Sequence, residues 1–356
     1  MKKRKTFVSV VMICMFFAVL AIPSAVFAAE KKVYEFTFAW NDIWGPKFRS
    51  AQVYRPGGEL HRMVHERSGG RIKLKIISRM FPNMDILQAV ATGKADMGDV
   101  AMPYHSGTYP LWNWGEVPGL IDEDHIKGFA EEQAVFEDPR VLEIYDRTMG
   151  KVGLKFWFVT QWEPAVAIWA KKKFTSVDDV KGLKMRVYGY LPTLAIKSLG
   201  ASPVTIASGE LAPAIMAGTV DAAVTSVSFG YTMGLHKVTK YITLLPIAST
   251  WSAVTVINAK KYNSLPPDLQ EVLMQVGREV QQMVRLSTTA EYIMSEDTVK
   301  LSGVEIGKFR PDDRKKVIDK LKVVEAEWTK LAGADGQSLL SAIKDSVAKH
   351  NAFSGK

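Results

Sequence analysis

The sequence predicts a two-lobed α/β fold, and three observations carry that prediction. Residues 177–226 read strand, helix, strand, helix, strand, the order that builds a parallel layer covered by helices. From residue 269 to about 302 runs an amphipathic stretch with few breakers, a continuous helix of roughly 45 Å at 1.5 Å per residue, long enough to lie across two lobes. The 356 residues, 47% of them hydrophobic, suffice for two cores, yet no low-complexity linker separates them. The lobes are therefore expected to be joined by strands that cross from one to the other.

The elements follow in chain order. The first 28 residues read as a secretory signal peptide: Lys2, Lys3, Arg4 and Lys5 make a basic n-region, residues 7–22 an apolar core, and Val26-Phe27-Ala28 a small-residue cleavage pattern. The apolar run is shorter than the ~20 residues a membrane span needs, which argues against an uncleaved anchor. The only cysteine, Cys14, falls inside that core and lacks the small preceding residue of a lipoprotein site. The mature chain is thus expected to hold no thiol, disulfide or Cys-ligated metal, and export without cysteines suits a bacterial periplasm or cell exterior. Removing the four basic residues of the n-region lowers the formal charge from +9 to +5. A surplus that small, spread along the chain, is a solvated surface and excludes a nucleic-acid footprint.

Residues 33–39 alternate as a first strand and 40–46 cannot continue it, so a loop lies beyond that strand's carboxyl end, where open α/β sheets bind ligands. A helix within 48–68 is broken by Pro56-Gly57-Gly58 and ended by Gly69-Gly70. Then come a strand at 72–77, a helix at 85–92 closed by Gly93, and a strand starting in Ala95-Asp96-Met97-Gly98. Residues 124–147 read as one charged helix, and 153–160 as a strand that reaches Gln161-Trp162-Glu163-Pro164. In the central stretch, Leu183, Met185 and Val187 alternate with Lys184, Arg186 and Tyr188, which predicts a half-buried strand with Arg186 opposite the apolar face. A helix (191–199), a short strand (204–206), a second helix (210–217) ended by Gly218, and a strand (220–224) complete it. A strand at 253–258, the long helix opened by Leu265-Pro266-Pro267-Asp268, a strand at 305–309 and helices at 312–331 and 337–350 finish the chain.

The central stretch also resembles a family. The run D-D-V-K-G-L-K-M-R-V, then L-G-A-S-P-V, then G-T-V-D-A, is similar to the signature of the extracytoplasmic solute-binding proteins of TRAP transporters, the DctP family. Earlier segments fit the same order: G-x-A-D-M-G at 93–98, the Y-x-x-G-x-Y-P-L-like stretch at 104–111, and E-x-P-x-L at 116–120. Residues 232–242 resemble the family's segment leading to a K-Y pair, with His236 where an acid is common. The resemblance implies a type II-like, two-lobed periplasmic binding protein with crossing strands and a long helix spanning both lobes. Lobe I would hold 29–163 and about 251–285, lobe II 164–250 and about 286–356. It also implies a small-molecule carboxylate as ligand and TRAP membrane subunits as partners.

The chemistry centres on Arg186. A guanidinium presents five donors in a rigid fork that pairs bidentately with a carboxylate, which Lys cannot do. Spacing alone favours a surface Arg on an edge strand; the resemblance reverses that and implies the carboxylate grip. Tryptophan is the second signal: Trp40, Trp162 and Trp251 fall where indole faces can sandwich a ligand, Trp157 and Trp169 lie in strand-like runs and are expected in the core, and Trp112 and Trp114 are expected to brace a loop. Trp44 falls in the loop after the first strand. Asn41, Tyr104, Tyr188, Thr225 and Ser226 stand at strand exits as polar partners. Thr225 occupies a place where the family commonly has an Asn, and Val166 a place where it often has a second basic or polar residue. One carboxylate clamp with an aromatic remainder suggests an aromatic or hydrophobic monocarboxylate; a dicarboxylate ligand is the alternative within the family.

Other functions find little support in the residues. His61 and His65 are spaced i, i+4, but Arg62, Glu66 and Arg67 surround them and no third ligand is near, which reads as an exposed helix face. Ser106-Gly107 and Ser208-Gly209 lack the flanking glycine of a nucleophile elbow, and no phosphate-binding glycine loop occurs. A periplasmic hydrolase or lyase would need a base beside a nucleophile, which the sequence does not offer. No cofactor is expected, and a monomer or dimer is.

Overall fold

The computed structural model describes residues 32–40, 49–164 and 166–354, so the signal-peptide segment, Asn41 and Trp44 lie outside the described residues. The chain opens with β1 (Tyr34–Trp40), whose Phe36, Phe38 and Trp40 are buried, and continues through α1 (Arg49–Val53), α2 (Glu59–Arg67) and β2 (Ile72–Ser78). Next come α3 (Ile86–Ala91), β3 (Met97–Ala101), α4 (His125–Glu137) and α5 (Pro139–Gly150). Where the sequence reading has one helix over 124–147 there are two. Asp138 is extended, its carboxylate accepts the Arg140 amide at 2.9 Å, and Pro139 at the first helical position cannot continue the helix before it.

The strands β4 (Leu154–Pro164) and β5 (Ala167–Ala170) follow each other almost directly. Beyond them lie β6 (Lys184–Val187), α6 (Tyr190–Ser198), β7 (Ser202–Thr205), α7 (Leu211–Met216), β8 (Ala222–Thr225), α8 (Val227–Thr232), β9 (Tyr241–Leu244) and β10 (Thr250–Asn258). The chain ends with α9 (Ala259–Asn263), the 35-residue α10 (Pro267–Leu301), β11 (Glu305–Lys308) and α11 (Pro311–Ser354). The last helix is interrupted at Gly333, whose φ of 65° only glycine adopts readily, so the expectation of two helices there fits.

Two sheets result. The first has the order β2-β1-β3-β10-β4, the second β11-β9-β5-β8-β6-β7. In the first, β1 runs parallel to β2 and β3, and β10 runs antiparallel to β3 and β4. In the second, β6 runs parallel to β7 and β8, while β5 runs antiparallel to β8 and β9. The chain passes between sheets along β4 into β5, back along β9 into β10, and once more through α10 into β11. This is the crossing-strand, two-sheet α/β architecture the sequence predicts. Helix α10 packs on β4, α1 and α2 at one end and on α8 further along, whereas α11 packs on α4 and α5 and also on α6.

One local expectation fails. The alternation at 183–188 predicts a strand with one open face, yet in β6 only Lys184 is exposed, and Met185, Arg186, Val187 and the following Tyr188 are all buried. Residues from the first sheet cover the second face, which no local pattern encodes.

Candidate functional site

Because β6, β7 and β8 run parallel, their carboxyl ends emerge along one edge, and the Arg186 side chain lies across it. Its Nε donates to the Ile206 carbonyl at 3.0 Å and its Nη1 to the Val224 carbonyl at 3.2 Å. The residue is only 2% exposed. Burial pulls its pKa down while Tyr104 and Tyr188 push it up, and no carboxylate faces it among the described residues. A guanidinium remains cationic under these conditions, so among the described residues carbonyl dipoles and phenol groups hold a buried charge. Such a charge is costly until an anion joins it.

An aromatic wall surrounds that charge. The Trp251 ring in β10 lies 6.4 Å from Tyr104, 5.4 Å from Tyr188 and 5.3 Å from Phe229. The Arg186 guanidinium carbon stands 5.6 Å from the centre of the Tyr188 ring. Tyr104, on the turn after β3, and Trp251 come with the first sheet; Tyr188 and Phe229 come with the second. Both sheets therefore contribute to one aromatic cluster beside Arg186.

The same border is fastened by polar contacts. Tyr104 Oη lies 3.0 Å from Ser208 Oγ, and the Tyr190 amide donates to Ser106 Oγ at 3.2 Å. Gly189, just before α6, comes so near that a Cβ there would meet Glu116 Oε1 and the Pro103 carbonyl at 2.9 Å and Ser106 Oγ at 3.0 Å. The Glu116 carboxyl is buried and its oxygens make no hydrogen bond of normal geometry among the described residues; burial pushes its pKa well up, opposed by Ser106.

The remaining sequence candidates fall in different places. Thr225 ends β8 beside the Val224 carbonyl that holds Arg186 and is buried. The Ser226 hydroxyl caps α8, accepting from the Phe229 amide at 3.3 Å, and helps hold down the pKa of the Glu163 carboxyl, so it is engaged in holding the helix. Trp40 lies at the end of β1, buried in the core cluster beneath α10 and stacked on Tyr54 at 6.3 Å rather than joining the aromatic group around Arg186. Trp162 belongs to β4, and its side chain is outside the described set. Trp157 and Trp169 are core residues as expected, and Trp112 donates to Thr148 Oγ1 at 2.8 Å.

Sequence reasoning named none of Phe229, Ser208, Glu116, Glu163 and Asp99 as a site residue. Glu163 is buried at the end of β4 and accepts from the Ser228 amide at 2.8 Å; burial pushes its carboxyl up to about 7, with Ser226 and Ser228 pulling it down. Asp99, in β3, accepts from Thr160 Oγ1 at 3.3 Å, and burial likewise pushes it up to about 7, against Thr160 and Thr255. No group of His, Cys, Asp and Glu among the described residues is arranged to hold a metal ion.

The model of the DctP family, "Bacterial extracellular solute-binding protein, family 7", matches residues 54–331. A solute-binding protein of Albidiferax ferrireducens is 27% identical over 61% of this chain and 64% of its own length. The 2,3-diketo-L-gulonate-binding periplasmic protein YiaO of Escherichia coli is 25% identical over 70% of this chain and 74% of its own. Among solved structures, DctP7, a Bordetella pertussis extracytoplasmic solute receptor binding pyroglutamic acid, matches with a TM-score of 0.76 at 21% identity, covering 88% of this chain and 100% of that one. At that identity the match speaks to the fold. These relatives and neighbours are solute receptors, not enzymes.

Proposed function

Since the chain belongs to the DctP family of bacterial extracellular solute-binding proteins, we propose that it is a periplasmic receptor of a TRAP transporter, binding a small organic acid between its two sheets and delivering it to the membrane permease. Arg186 takes the carboxylate. The observation that carries this reading is the buried guanidinium with only carbonyl and phenol neighbours among the described residues. An arriving carboxylate makes charge-assisted, forked hydrogen bonds in a site already stripped of water, so the ligand supplies the missing counter-charge.

The aromatic wall of Tyr104, Tyr188, Phe229 and Trp251 favours a monocarboxylate with a hydrophobic or aromatic body over a compact dicarboxylate. Val166, where a second polar group would serve a second carboxylate, is apolar and buried. Because that wall draws from both sheets, the ligand's contacts bridge them and stabilise a closed arrangement over an open one. Thr225, next in sequence to Val224 whose carbonyl holds Arg186, is a hydroxyl candidate for the ligand's second oxygen or α-substituent, as is the Tyr104 phenol. Residues 1–28 act as the export signal.

A panel of organic acids screened by melting shift, together with mass spectrometry of acid carried through purification, tests the reading. An aromatic or hydrophobic monocarboxylate is expected; preference for succinate or malate would replace the monocarboxylate assignment with a dicarboxylate one. Absence of any stabilising acid would remove the proposal altogether.

A further inference from the structure

One contact across the border between the sheets is short of a proton. Ser106, on the turn after β3, donates its hydroxyl to the Pro103 carbonyl at 3.1 Å and accepts from the Tyr190 amide at 3.2 Å. Tyr190 opens α6, between strands of the second sheet, so this amide makes the contact that crosses the border. A serine hydroxyl has one proton and two lone pairs. Its proton goes to Pro103 and one lone pair to Tyr190, which leaves a lone pair open and nothing to give.

Glu116 stands next to that lone pair. It ends the turn over residues 110–116, is 1% exposed, and Ser106 is the side chain whose hydrogen bonding weighs on its carboxyl. No group among the described residues donates to either carboxyl oxygen with normal geometry, and no cation weighs on them. Around the place a Cβ of Gly189 would take, Glu116 Oε1, the Pro103 carbonyl and Ser106 Oγ converge within 3.0 Å. An ionised carboxylate here meets two further acceptors and no donor, an arrangement that burial makes costly. A carboxylic acid brings the missing proton and has the open Ser106 lone pair to receive it.

The ionisable groups on the elements packed around this turn do not supply an alternative. On the turn after β3 they are Tyr104, whose hydroxyl lies at Ser208, and His105, which burial lowers to about 4 and so keeps neutral. At the end of β6 they are Arg186, held by the Ile206 and Val224 carbonyls, and Tyr188. Tyr145 of α5 donates to the Trp112 carbonyl, and β10 carries no ionisable residue. On α11 near Trp328, which bonds the Pro110 carbonyl, Glu327 meets Tyr190 Oη and Lys330, Glu325 meets Lys344, and Asp335 meets Arg147.

Resting on the reading of this chain as a receptor whose two halves close on an acid, we propose that Glu116 is a positioning residue of closure. In the closed form it is a carboxylic acid that donates to Ser106 Oγ while that oxygen accepts from the Tyr190 amide; in the open form it is an ionised carboxylate, so one proton is taken up from solvent with each ligand bound. Once Tyr190 leaves, the Ser106 hydroxyl is free to turn and donate to Glu116, water reaches the carboxyl, and it ionises in the ordinary glutamate range near pH ~4.3. Above that range closure needs the proton back, and affinity falls by up to ~10-fold per pH unit.

The test is titration calorimetry from pH 5.5 to 7.5, in buffers of differing ionisation enthalpy, with phenylpyruvate, benzoylformate, hippurate and the tightest binder of the organic-acid panel, all ionised throughout this range. The wild type is expected to take up close to one proton per ligand and to bind more weakly as pH rises. Glu116→Gln keeps the shape and carries its own N–H to Ser106, so it is expected to bind at pH 7.5 about as the wild type does at pH 5.5, with no proton uptake. Ser106→Ala removes the acceptor and is expected to lose both the uptake and the tight binding at pH 5.5. Binding by the wild type without proton uptake overturns the inference and leaves the receptor reading standing, as does uptake that persists unchanged in Glu116→Gln or, should that variant fail to fold, in Ser106→Ala. A structural role alone would leave the pH slope of both variants equal to that of the wild type. If no acid binds at any pH, the receptor reading falls and this inference with it.

Discussion

Replacing Gly189 by alanine separates closure from folding. Gly189 has φ −160° and ψ −179°, extended backbone that alanine adopts without strain. The cost is therefore wholly that of the new methyl, which would stand 2.9 Å from Glu116 Oε1, 2.9 Å from the Pro103 carbonyl and 3.0 Å from Ser106 Oγ, all across the border between the sheets. One of these atoms is backbone and cannot swing aside. Overpacking of this kind costs about 1–3 kcal/mol, which corresponds to a ligand affinity ~5- to 150-fold weaker if the contact belongs to the liganded, closed form. A contact confined to the closed form leaves the unliganded protein untouched, so its melting temperature is expected to stay near that of the wild type. Calorimetric titration with the acid that co-purifies, set beside melting curves without it, reads the two quantities independently. Wild-type affinity in Gly189→Ala would refute the reasoning, and so would a loss of unliganded stability equal to the loss in binding energy.

Other outcomes follow from the same geometry. Arg186→Met removes a buried charge that has only neutral partners among the described residues, so unliganded thermal stability is expected to hold or rise while acid binding is lost; a large drop in the unliganded melting temperature would contradict this. Gly277→Ala puts a methyl 2.5 Å from Trp157 Cδ1 and Nε1, pushing α10 off β4 and weakening the 2.6 Å bond from Trp157 to the Leu273 carbonyl. A loss of about 1–3 kcal/mol in denaturant melts is expected, with affinity changed little. Burial pushes Asp99 and Glu163 up to about 7 and Glu132 up to about 8, so the folded protein keeps protons that the unfolded chain has released. Their contribution to stability is full below the unfolded carboxyl range near pH ~4 and is lost as pH rises through about 7 to 8. The unliganded melting temperature should therefore fall between roughly pH 6.5 and pH 9, above the range in which the buried His105 and His125, lowered to about 4, have any effect. A flat or rising profile would contradict it.

The parts of this architecture that local pattern controls were legible in the chain. The two-residue period around Arg186, the glycines that end helices, and the unbroken run of α10 each act within a few residues, and the corresponding elements stand within a residue or three of where the sequence puts them. Pro139 carried the signal that splits α4 from α5, and charge composition masked it. The site was harder to read because its partners are remote in sequence. Trp251 reads as loop in a Ser/Thr-rich run, yet β10 already includes Thr250 because Glu163 and Pro164 pair with it there. Trp40 reads as a loop residue but remains in β1, and its ring turns into the core against Tyr54. Asp99 falls in the strand that the sequence starts at 95–98, but nothing local marks it as buried; it pairs with Thr255 and accepts from Thr160, which no window around it contains.

The most direct test of the central claim is a crystal structure of the protein with the acid that accompanies it through purification. The account predicts that acid between the two sheets, its carboxylate forked onto Arg186 at about 2.7–2.9 Å. A ligand whose carboxylate sits elsewhere, with Arg186 still bonded only to the Ile206 and Val224 carbonyls, would contradict it.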